Sequence, residues 1–206
     1  MGRQIDIIGV ACSVLHPEIE LLQAKGEIAF PVEYLDSRLH MKPELLEKAL
    51  RERCDDILRS GVGVVLLYGD CHARMHHLCV NPQIARLDGL NCGDILLGRQ
   101  RYKELMKQGA FLVFPEWAQR WRVILNELVN ICGSCGLDIV HDTHDKLVYL
   151  DTGAVPVPEM ELDECASTLG FSWVNMPVSL KHFHSLIQDA VTRLQTMPGE
   201  TEIEEA

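Results

Sequence analysis

The feature of this sequence that most constrains its fold is the alternation of strand-length apolar runs with segments of helical period. The apolar runs lie at residues 5–11, 28–35, 62–68, 110–114, 147–150 and 171–176. Segments of helical period lie between and after them, at residues 17–25, 43–59, 93–108, 115–132, 158–169 and 179–195. Such alternation is typical of a mostly parallel sheet covered by helices. The sequence therefore predicts a three-layer, Rossmann-like α/β fold, either as one unit or as two similar lobes.

The segment GAVPVP, residues 153–158, interrupts this pattern because a glycine and two prolines disfavour both helix and strand. We therefore expect a main α/β domain over residues 1–152, which holds the candidate site. A C-terminal βα portion over residues 153–197 is expected to pack on this domain or to complete it. Residues 198–206 are acidic and lack an apolar period, which predicts a disordered tail.

The charge of the chain excludes some classes of partner. Its 206 residues include 30 acidic and 19 basic side chains, and the formal net charge is -11. Non-specific nucleic-acid binding needs clustered lysine and arginine, so no nucleic-acid partner is expected. The first apolar run is too short for a signal-peptide core or a membrane span, which predicts a cytoplasmic protein without a membrane partner. In that compartment the eight cysteines are expected to be thiols, metal ligands or redox groups.

Three cysteines lie at positions where α/β proteins bind ligands. Cys12 comes just after the first predicted strand and Cys71 just after the third, while His40 lies a few residues past the second. Cys92 directly precedes a predicted helix, whose free N–H groups are expected to lower the pKa of its thiol. Ligands of open α/β sheets bind outside the carboxyl ends of the strands. The sequence therefore predicts that Cys12, Cys71 and Cys92 share one edge of the sheet with His40.

Polar residues at two strand ends are further candidates. Those after the third strand are the candidate acid–base groups, namely Tyr68, Asp70 and His72. Three other residues are predicted to contact a bound cofactor or small molecule, namely Gly69, Asp151 and Thr152. The alternative for the last two is that they only cap a turn, as such residues often do.

Other cysteine and histidine groups compete with this site. The loop after Cys71 could hold a local zinc ion through His72, His76, His77 and Cys79. The CxxC pair Cys132 and Cys135 is interpreted as a helix-end turn, because no second CxxC completes a zinc ribbon. Cys54 and Cys165 are expected to be small buried apolar groups.

One short motif, residues 142–144 (DTH), begins like the DxHxxG motif with which some proteins ligate cobalamin. Leu147 stands where that motif needs glycine. We therefore interpret His144 as part of a solvated polar turn.

Six segments occur in an order that resembles a known family: ACSVLHPEIE, RLHMKPELL, LLYGDC, NCGDILLGRQRY, FLVFPEW and LVYLDTGA. The chain resembles the prokaryotic family catalogued as domain of unknown function 1638, found in anaerobic bacteria and archaea. The resemblance places Cys12, Cys71 and Cys92 at the family's cysteine positions, with His40, Tyr68 and Gly69 beside them. It implies a metal- or cofactor-binding α/β protein associated with corrinoid-dependent methyltransferase systems. The His-rich loop and Glu116 depart from the family pattern, which suggests a subgroup with its own ligand.

These features lead to one hypothesis and one alternative. The hypothesis is that the three strand-end cysteines bind a metal centre, an iron–sulfur cluster or zinc, with His40 or a substrate at the remaining position. The protein would then act on a small-molecule ligand in corrinoid-linked methyl or one-carbon metabolism. The alternative is a non-catalytic chaperone or adaptor that delivers a metal or corrinoid cofactor, with a corrinoid protein or methyltransferase as partner.

Overall fold

The computed structural model describes residues 5–72, 74–132 and 136–196. Cys135 and the acidic segment 198–206 lie outside the described residues. The strands of the described chain, in order, are β1 (Ile7–Cys12), β2 (Val32–Leu35), β3 (Gly63–Leu67), β4 (Ile84–Arg86), β5 (Ala110–Val113), β6 (Lys146–Asp151) and β7 (Trp173–Pro177). They form a four-stranded sheet of order β2-β1-β3-β4 and a three-stranded sheet of order β5-β6-β7. All pairings in both sheets are parallel.

The helices of the described chain are α1 (His16–Ala24), α2 (Pro43–Leu58), α3 (Met75–Leu78), α4 (Cys92–Leu97), α5 (Arg99–Lys107), α6 (Pro115–Gln119), α7 (Trp121–Cys132), α8 (Gly136–Thr143), α9 (Glu159–Leu169) and α10 (Lys181–Thr196). The predicted α/β fold is confirmed, and it is built as two parallel sheets flanked by helices. Two predicted helices are each broken in two. Gly98, with a φ of +77°, separates α4 from α5, and Arg120 separates α6 from α7. The short strand β4 and the helices α3 and α8 were not predicted.

The core of the four-stranded sheet is organised around β3. All five residues of this strand, GVVLL, are buried. Because successive strand residues point to opposite faces, complete burial means that both faces are covered. Helices α2 and α10 both contact β3, and α10 contributes Phe183, Ile187, Ala190 and Leu194 to the same core. The C-terminal helix is therefore part of the first sheet's core, although it follows the second sheet in the chain.

The three-stranded sheet separates two apolar cores. Leu112, Val148 and Leu150 belong to the core shared with the first sheet. Their neighbours Val113, Leu147 and Tyr149 belong to a second core, which α9 completes. Alternate residues of β5 and β6 thus face different cores, as the two-residue period of a strand requires. The second sheet consequently has one face toward the four-stranded sheet and the candidate site.

Polar contacts also join the two sheets. The Trp117 indole N–H and the Arg120 guanidinium donate to Oγ of Ser37, at 3.3 and 2.8 Å. Glu18 in α1 is fully buried and accepts a hydrogen bond from Thr152 Oγ1 at 2.8 Å. Burial is the main cause that raises the pKa of Glu18 to about 7. This carboxyl group therefore links α1 to the end of β6, and its burial favours the protonated form in the folded chain.

Residues 153–158, expected to separate two parts of the chain, join β6 to α9. Strands β6 and β7 lie on either side of this connection and pair with each other from Leu147 to Asp151. Across the described residues, no helix has both the length and the apolar character needed to cross a membrane.

The buried Glu18 gives a prediction about stability and pH. Its pKa is higher in the folded chain than the ordinary value of 4.5. The folded state therefore holds this proton more tightly, and stability falls as the pH rises from the ordinary pKa through the raised one. Glu18→Gln cannot ionise, so we expect its stability relative to the parent to improve by roughly 2–3 kcal/mol between about pH 5 and about pH 8.

Urea unfolding at both pH values measures this difference. Glu20→Gln on the same helix is the control, because the Glu20 side chain is 63% exposed and should show almost no such trend. Parallel pH profiles for the parent and Glu18→Gln would contradict the prediction.

Candidate functional site

The site begins at the carboxyl edge of the four-stranded sheet. Strand β1 ends at Cys12, which is level with Leu35 at the end of β2. On its other side, β1 pairs with β3 up to Leu67, four residues before Cys71. His40 lies in the 3-10 turn Ser37–Met41 that follows β2. Three parallel strands thus deliver these side chains to one edge, as predicted for parallel strands.

Cys92 reaches this edge because two loops approach each other unusually closely. It is the first residue of α4, and Asn91 caps that helix by accepting a hydrogen bond from the Asp94 N–H at 3.0 Å. A Cβ atom placed on Gly69 would lie 2.6 Å from the backbone nitrogen of Asn91. Real Cβ atoms do not approach backbone so closely, so position 69 needs glycine. The Gly69 contact brings the Cys92 loop against the loop that carries Cys71.

The three thiols interact with one another. A hydrogen bond with Cys92 is the largest cause that lowers the pKa of Cys71 to about 5, and His40 lowers it further. The pKa of Cys92 is raised well above its ordinary value, through its hydrogen bonds with Cys12 and Cys71 and through burial. Of these two thiols, Cys71 is therefore the one that ionises more readily. The pKa of Cys92 is thus raised, whereas the sequence predicted that it would be lowered. The neighbouring thiols and burial outweigh the effect of the helix N-terminus.

His40 lies beside Cys71 and favours its thiolate form. Its hydrogen bond with Cys71 is the main cause that raises the pKa of His40, against the effect of burial. An imidazolium next to a thiolate is the usual arrangement of an activated cysteine. The cluster of Cys12, Cys71, Cys92 and His40, called the thiol cluster below, thus combines three thiol sulfurs with one imidazole.

Tyr68 is a buried neighbour of the thiol cluster. The side chain is 1% exposed, and its hydroxyl has no hydrogen-bond partner within the described chain. Burial raises the pKa of Tyr68 well above its usual value, and the charges of Cys12, Cys92 and Cys71 raise it further. The hydroxyl consequently stays protonated, and an unpartnered buried donor is costly.

The other two candidate acid–base groups are held away by ion pairs. Asp70 lies 2.8 Å from Arg86, between the carboxylate Oδ1 and the guanidinium Nη2. His72 directs its Nε2 toward Glu47 of α2 at 3.3 Å, and Arg74 also pairs with Glu47 at 2.6 Å. Asp70 and His72 therefore contact charged partners outside the thiol cluster.

Asp151 and Thr152 occupy the end of β6 and hydrogen-bond to protein groups. Asp151 accepts from the Gly153 N–H and the Asn175 amide, both at 3.1 Å. Thr152 is the partner of the buried Glu18 described above. Asp151 thus caps a turn, which was the alternative interpretation of this residue.

A cavity of about 210 Å³ lies beside the thiol cluster, between the two sheets. Cys12, Cys92 and His40 line one part of it. Its other walls include Met106, Phe111, Leu112, Phe114 and Trp117. We call this cavity the chamber. It connects the cysteines of the first sheet to an apolar surface of the second.

The chamber is the part of the site that the sequence did not predict. His144 of the DTH motif lines it, with its ring packed edge-on against Phe111 at 5.1 Å between centroids. Trp117 packs against Phe114 in the same manner at 5.2 Å. The available signal was the aromatic segment FLVFPEW, which reads equally well as an ordinary core strand.

The structure also tests how metal-ligating side chains are arranged. Within the described ranges, no group of three or more His, Cys, Asp or Glu side chains is positioned to hold a metal ion. In the His-rich loop, His72 turns toward Glu47 while the Cys79 thiol donates to the Met75 carbonyl at 3.9 Å. The rings of His76 and His77 pack on each other at 4.2 Å. The loop therefore does not assemble a local zinc site among the described residues.

Comparison with known proteins assigns the chain to a family but finds no curated or structurally solved match. Residues 34–187 match the sequence model of a family described as "Protein of unknown function (DUF1638)". No curated protein matches the chain, and no solved structure does. The matched range contains His40, Cys71 and Cys92.

The close contact at Gly69 gives the second prediction. Gly69→Ala places a methyl group against the Asn91 backbone, which must move. We expect a loss of about 2 kcal/mol in the free energy of unfolding, typical of overpacking. We also expect slower alkylation of Cys71, because Cys92 would shift away from it. Urea unfolding and alkylation rates measure both effects, and an unchanged Cys71 rate would contradict the assigned role of Gly69.

The lowered pKa of Cys71 gives the third prediction. In metal-free protein, iodoacetamide should label Cys71 at about pH 6, where an ordinary thiol is almost entirely protonated. Cys92→Ala removes the hydrogen-bond donor and should shift the midpoint of Cys71 labelling upward by about one pH unit or more. Mass spectrometry of the labelled peptide gives the midpoint. Cys165→Ala, which lies in the second core, is the control. Equal midpoints for Cys92→Ala and the control would refute the thiol–thiolate hydrogen bond.

Proposed function

Since the chain belongs to the DUF1638 family of proteins of unknown function, we propose its activity from the site: it binds a thiolate-ligated metal centre next to a small-molecule chamber. The observation that carries the proposal is the meeting of three thiols and one imidazole from four separate segments. Cys12 and Cys92 are 6% and 8% exposed. Buried cysteines need not cluster to be stable, so their convergence beside a cavity supports a ligand-binding role.

The donor set matches the expected centres in ligand type, although in their present arrangement no three of these side chains are positioned to hold an ion. Three cysteines and one histidine are a ligand set of zinc, and three cysteines leave one position open on a cubane iron–sulfur cluster. The side chains must rotate to converge on one ion, because their present contacts are with each other. Cys12, Cys71 and Cys92 would hold such a centre, with either His40 or a substrate at the remaining position. When bound by the three cysteines alone, the centre would supply a Lewis acid with that position open to a substrate.

Tyr68 is the chain's own group best placed to assist. Its hydroxyl remains protonated and has no hydrogen-bond partner among the residues that the structure describes. It can donate to a thiolate or to an anionic ligand atom, which would stabilise negative charge in the cluster. Asp70 and His72 are assigned no catalytic step, because Arg86 and Glu47 engage them.

The burial of the cluster supports a small-molecule function over a carrier function. A metal chaperone needs an accessible metal site beside an exposed apolar surface. Here Cys12 and Cys92 are buried and line the chamber, and Cys71 is partly buried. An enzyme or sensor of corrinoid-linked methyl or one-carbon metabolism, the setting that the family resemblance implies, is therefore the favoured form of the proposal. The alternative remains a chaperone or adaptor for a corrinoid protein or methyltransferase.

A second candidate is a metal-free cysteine function. The observation that favours it is the low pKa of Cys71 beside His40. Such a pair can serve as a nucleophile without any metal. Metal analysis separates this candidate from the first.

The fourth prediction tests the metal centre directly. Protein purified anaerobically should contain metal. Replacing Cys12, Cys71 or Cys92 by Ser should lower the metal content by about tenfold or more, because each replacement removes a thiolate ligand. Cys54→Ser and Cys165→Ser are the matched controls, because both cysteines are buried in apolar cores. His76→Ala and Cys79→Ser should also keep the metal.

Elemental analysis with an absorption spectrum distinguishes zinc from an iron–sulfur cluster. Equal metal content in the three cluster variants and the two core controls would overturn the proposed centre. Metal-free protein with a rapidly alkylated Cys71 would support the nucleophile instead.

A further inference from the structure

Two hydroxyl groups line the chamber, and the hydrogen-bond direction of each is set by neighbours that can only donate. The first is Ser37, whose Oγ accepts from the Trp117 indole N–H at 3.3 Å and from the Arg120 guanidinium at 2.8 Å. A hydroxyl oxygen has two lone pairs, and these two bonds occupy both of them. The Ser37 hydroxyl can therefore act toward a ligand only as a donor.

The second hydroxyl, that of Tyr102, belongs to a chain of hydrogen bonds whose direction is fixed at a backbone group. The Asp94 N–H donates to Asn91 Oδ1 at 3.0 Å, which identifies this atom as the oxygen of the side-chain amide. The amide nitrogen of Asn91 therefore donates to Tyr102 Oη, at 2.7 Å. Within the described residues, the Tyr102 hydroxyl hydrogen and the second amide hydrogen of Asn91 have no acceptor. Two unused donors thus lie side by side in the chamber wall.

The charge of the chamber wall is compatible with an anionic ligand. Among the described residues, no Asp or Glu side chain lines it. His40 and His144 do line it, and an imidazole carries at least one N–H in every protonation state. The His40 side chain is in part exposed to solvent, so a charged group in the chamber need not lose all of its hydration. The wall therefore suits a group that accepts hydrogen bonds and carries a negative charge.

The apolar part of the wall restricts the body of the ligand. Phe111, Phe114 and Trp117 supply aromatic rings, and Met106 and Leu112 supply aliphatic surface. An engineered apolar cavity of about 150 Å³ holds benzene. The chamber, at about 210 Å³, is somewhat larger. A single aromatic ring with one short substituent therefore fits.

From this pattern of donors we infer that the chamber binds a small aromatic monocarboxylate, with its ring on the apolar wall and its two carboxylate oxygens at the Tyr102 hydroxyl and the Asn91 amide. Two adjacent donors match the two oxygens of a carboxylate, and hydrogen bonds to an ionised acceptor are stronger than those to a neutral one. The inference deepens the proposed function, because it rests on the chamber of that proposal. It does not depend on the metal centre.

The test uses four probes that separate the ring, the charge and the acceptor oxygens. Benzoate has all three, benzamide replaces one oxygen by a donor and removes the charge, toluene has only the ring, and acetate has only the carboxylate. Calorimetry should show that benzoate binds about tenfold or more tightly than each of the other three, because a hydrogen bond to a charged group or the burial of a ring contributes at least this much. The affinity for benzoate should be the same before and after treatment of the protein with a metal chelator.

Four variants locate the carboxylate. Tyr102→Phe removes one donor but keeps the ring, so it should weaken benzoate binding about tenfold or more and leave toluene binding almost unchanged. Tyr149→Phe is the matched control, because this buried tyrosine belongs to the second core. Ser37→Ala removes the other hydroxyl donor and should weaken benzoate binding less than Tyr102→Phe does. Ala110→Leu narrows the chamber from β5 and should weaken benzoate and toluene binding alike, which tests the chamber even if Tyr102→Phe fails to fold.

The outcomes separate this inference from the proposed function. Benzoate that does not bind, or that binds no more tightly than benzamide, overturns the carboxylate ligand. Equal benzoate affinity in Tyr102→Phe and Tyr149→Phe, or a larger loss in Ser37→Ala than in Tyr102→Phe, overturns the assignment to Tyr102 and Asn91. Benzoate binding that disappears with the metal overturns the inference and supports the metal centre. Benzoate binding to protein that never contains metal supports the inference and refutes the metal centre.

Discussion

The close approach of the Gly69 backbone to Asn91 is the contact on which the candidate site depends. Parallel strands bring Cys12, Cys71 and His40 to one edge, but Cys92 begins a helix beyond β4 and reaches that edge only across this contact. A side chain at position 69 would separate the two loops. The interaction between Cys92 and Cys71 therefore depends on glycine at position 69. Because this interaction lowers the pKa of Cys71, the ionisation of Cys71 depends on that glycine too.

The low polarity around the thiol cluster determines how strongly its members influence one another. A thiolate beside an imidazolium interacts more strongly when apolar side chains replace water, because the effective dielectric constant is lower. Met106, Phe111 and Trp117 supply such surroundings on the chamber side. The second sheet therefore contributes no sulfur ligand to the site, yet it helps to set the protonation of the sulfurs that the first sheet brings together.

Sequence reasoning was most reliable where one topological rule was sufficient. The alternation of apolar runs with segments of helical period predicted the α/β class. Because the carboxyl ends of parallel strands lie at one edge of a sheet, the strand positions also predicted that Cys12, Cys71 and His40 lie at one edge. The predicted direction of the Cys92 pKa shift was wrong. That shift depends on how closely separate loops approach each other, which no local sequence pattern encodes. The chamber was missed for a related reason. Periodicity assigns Phe111 to a buried strand, but it does not say which other sheet that strand faces.

The position of α10 has a consequence for how the protein is made. Phe183 and Ile187 are buried in the core of the four-stranded sheet, and Arg193 donates to the Arg86 carbonyl at 2.5 Å. A nascent chain contains all four strands of that sheet long before it contains this helix. Contacts so distant in sequence form slowly, because a long segment must be closed. During synthesis the face of the first sheet that α10 covers is therefore expected to stay exposed until α10 has been made, and a chaperone that shields this face is expected to raise the yield of folded protein.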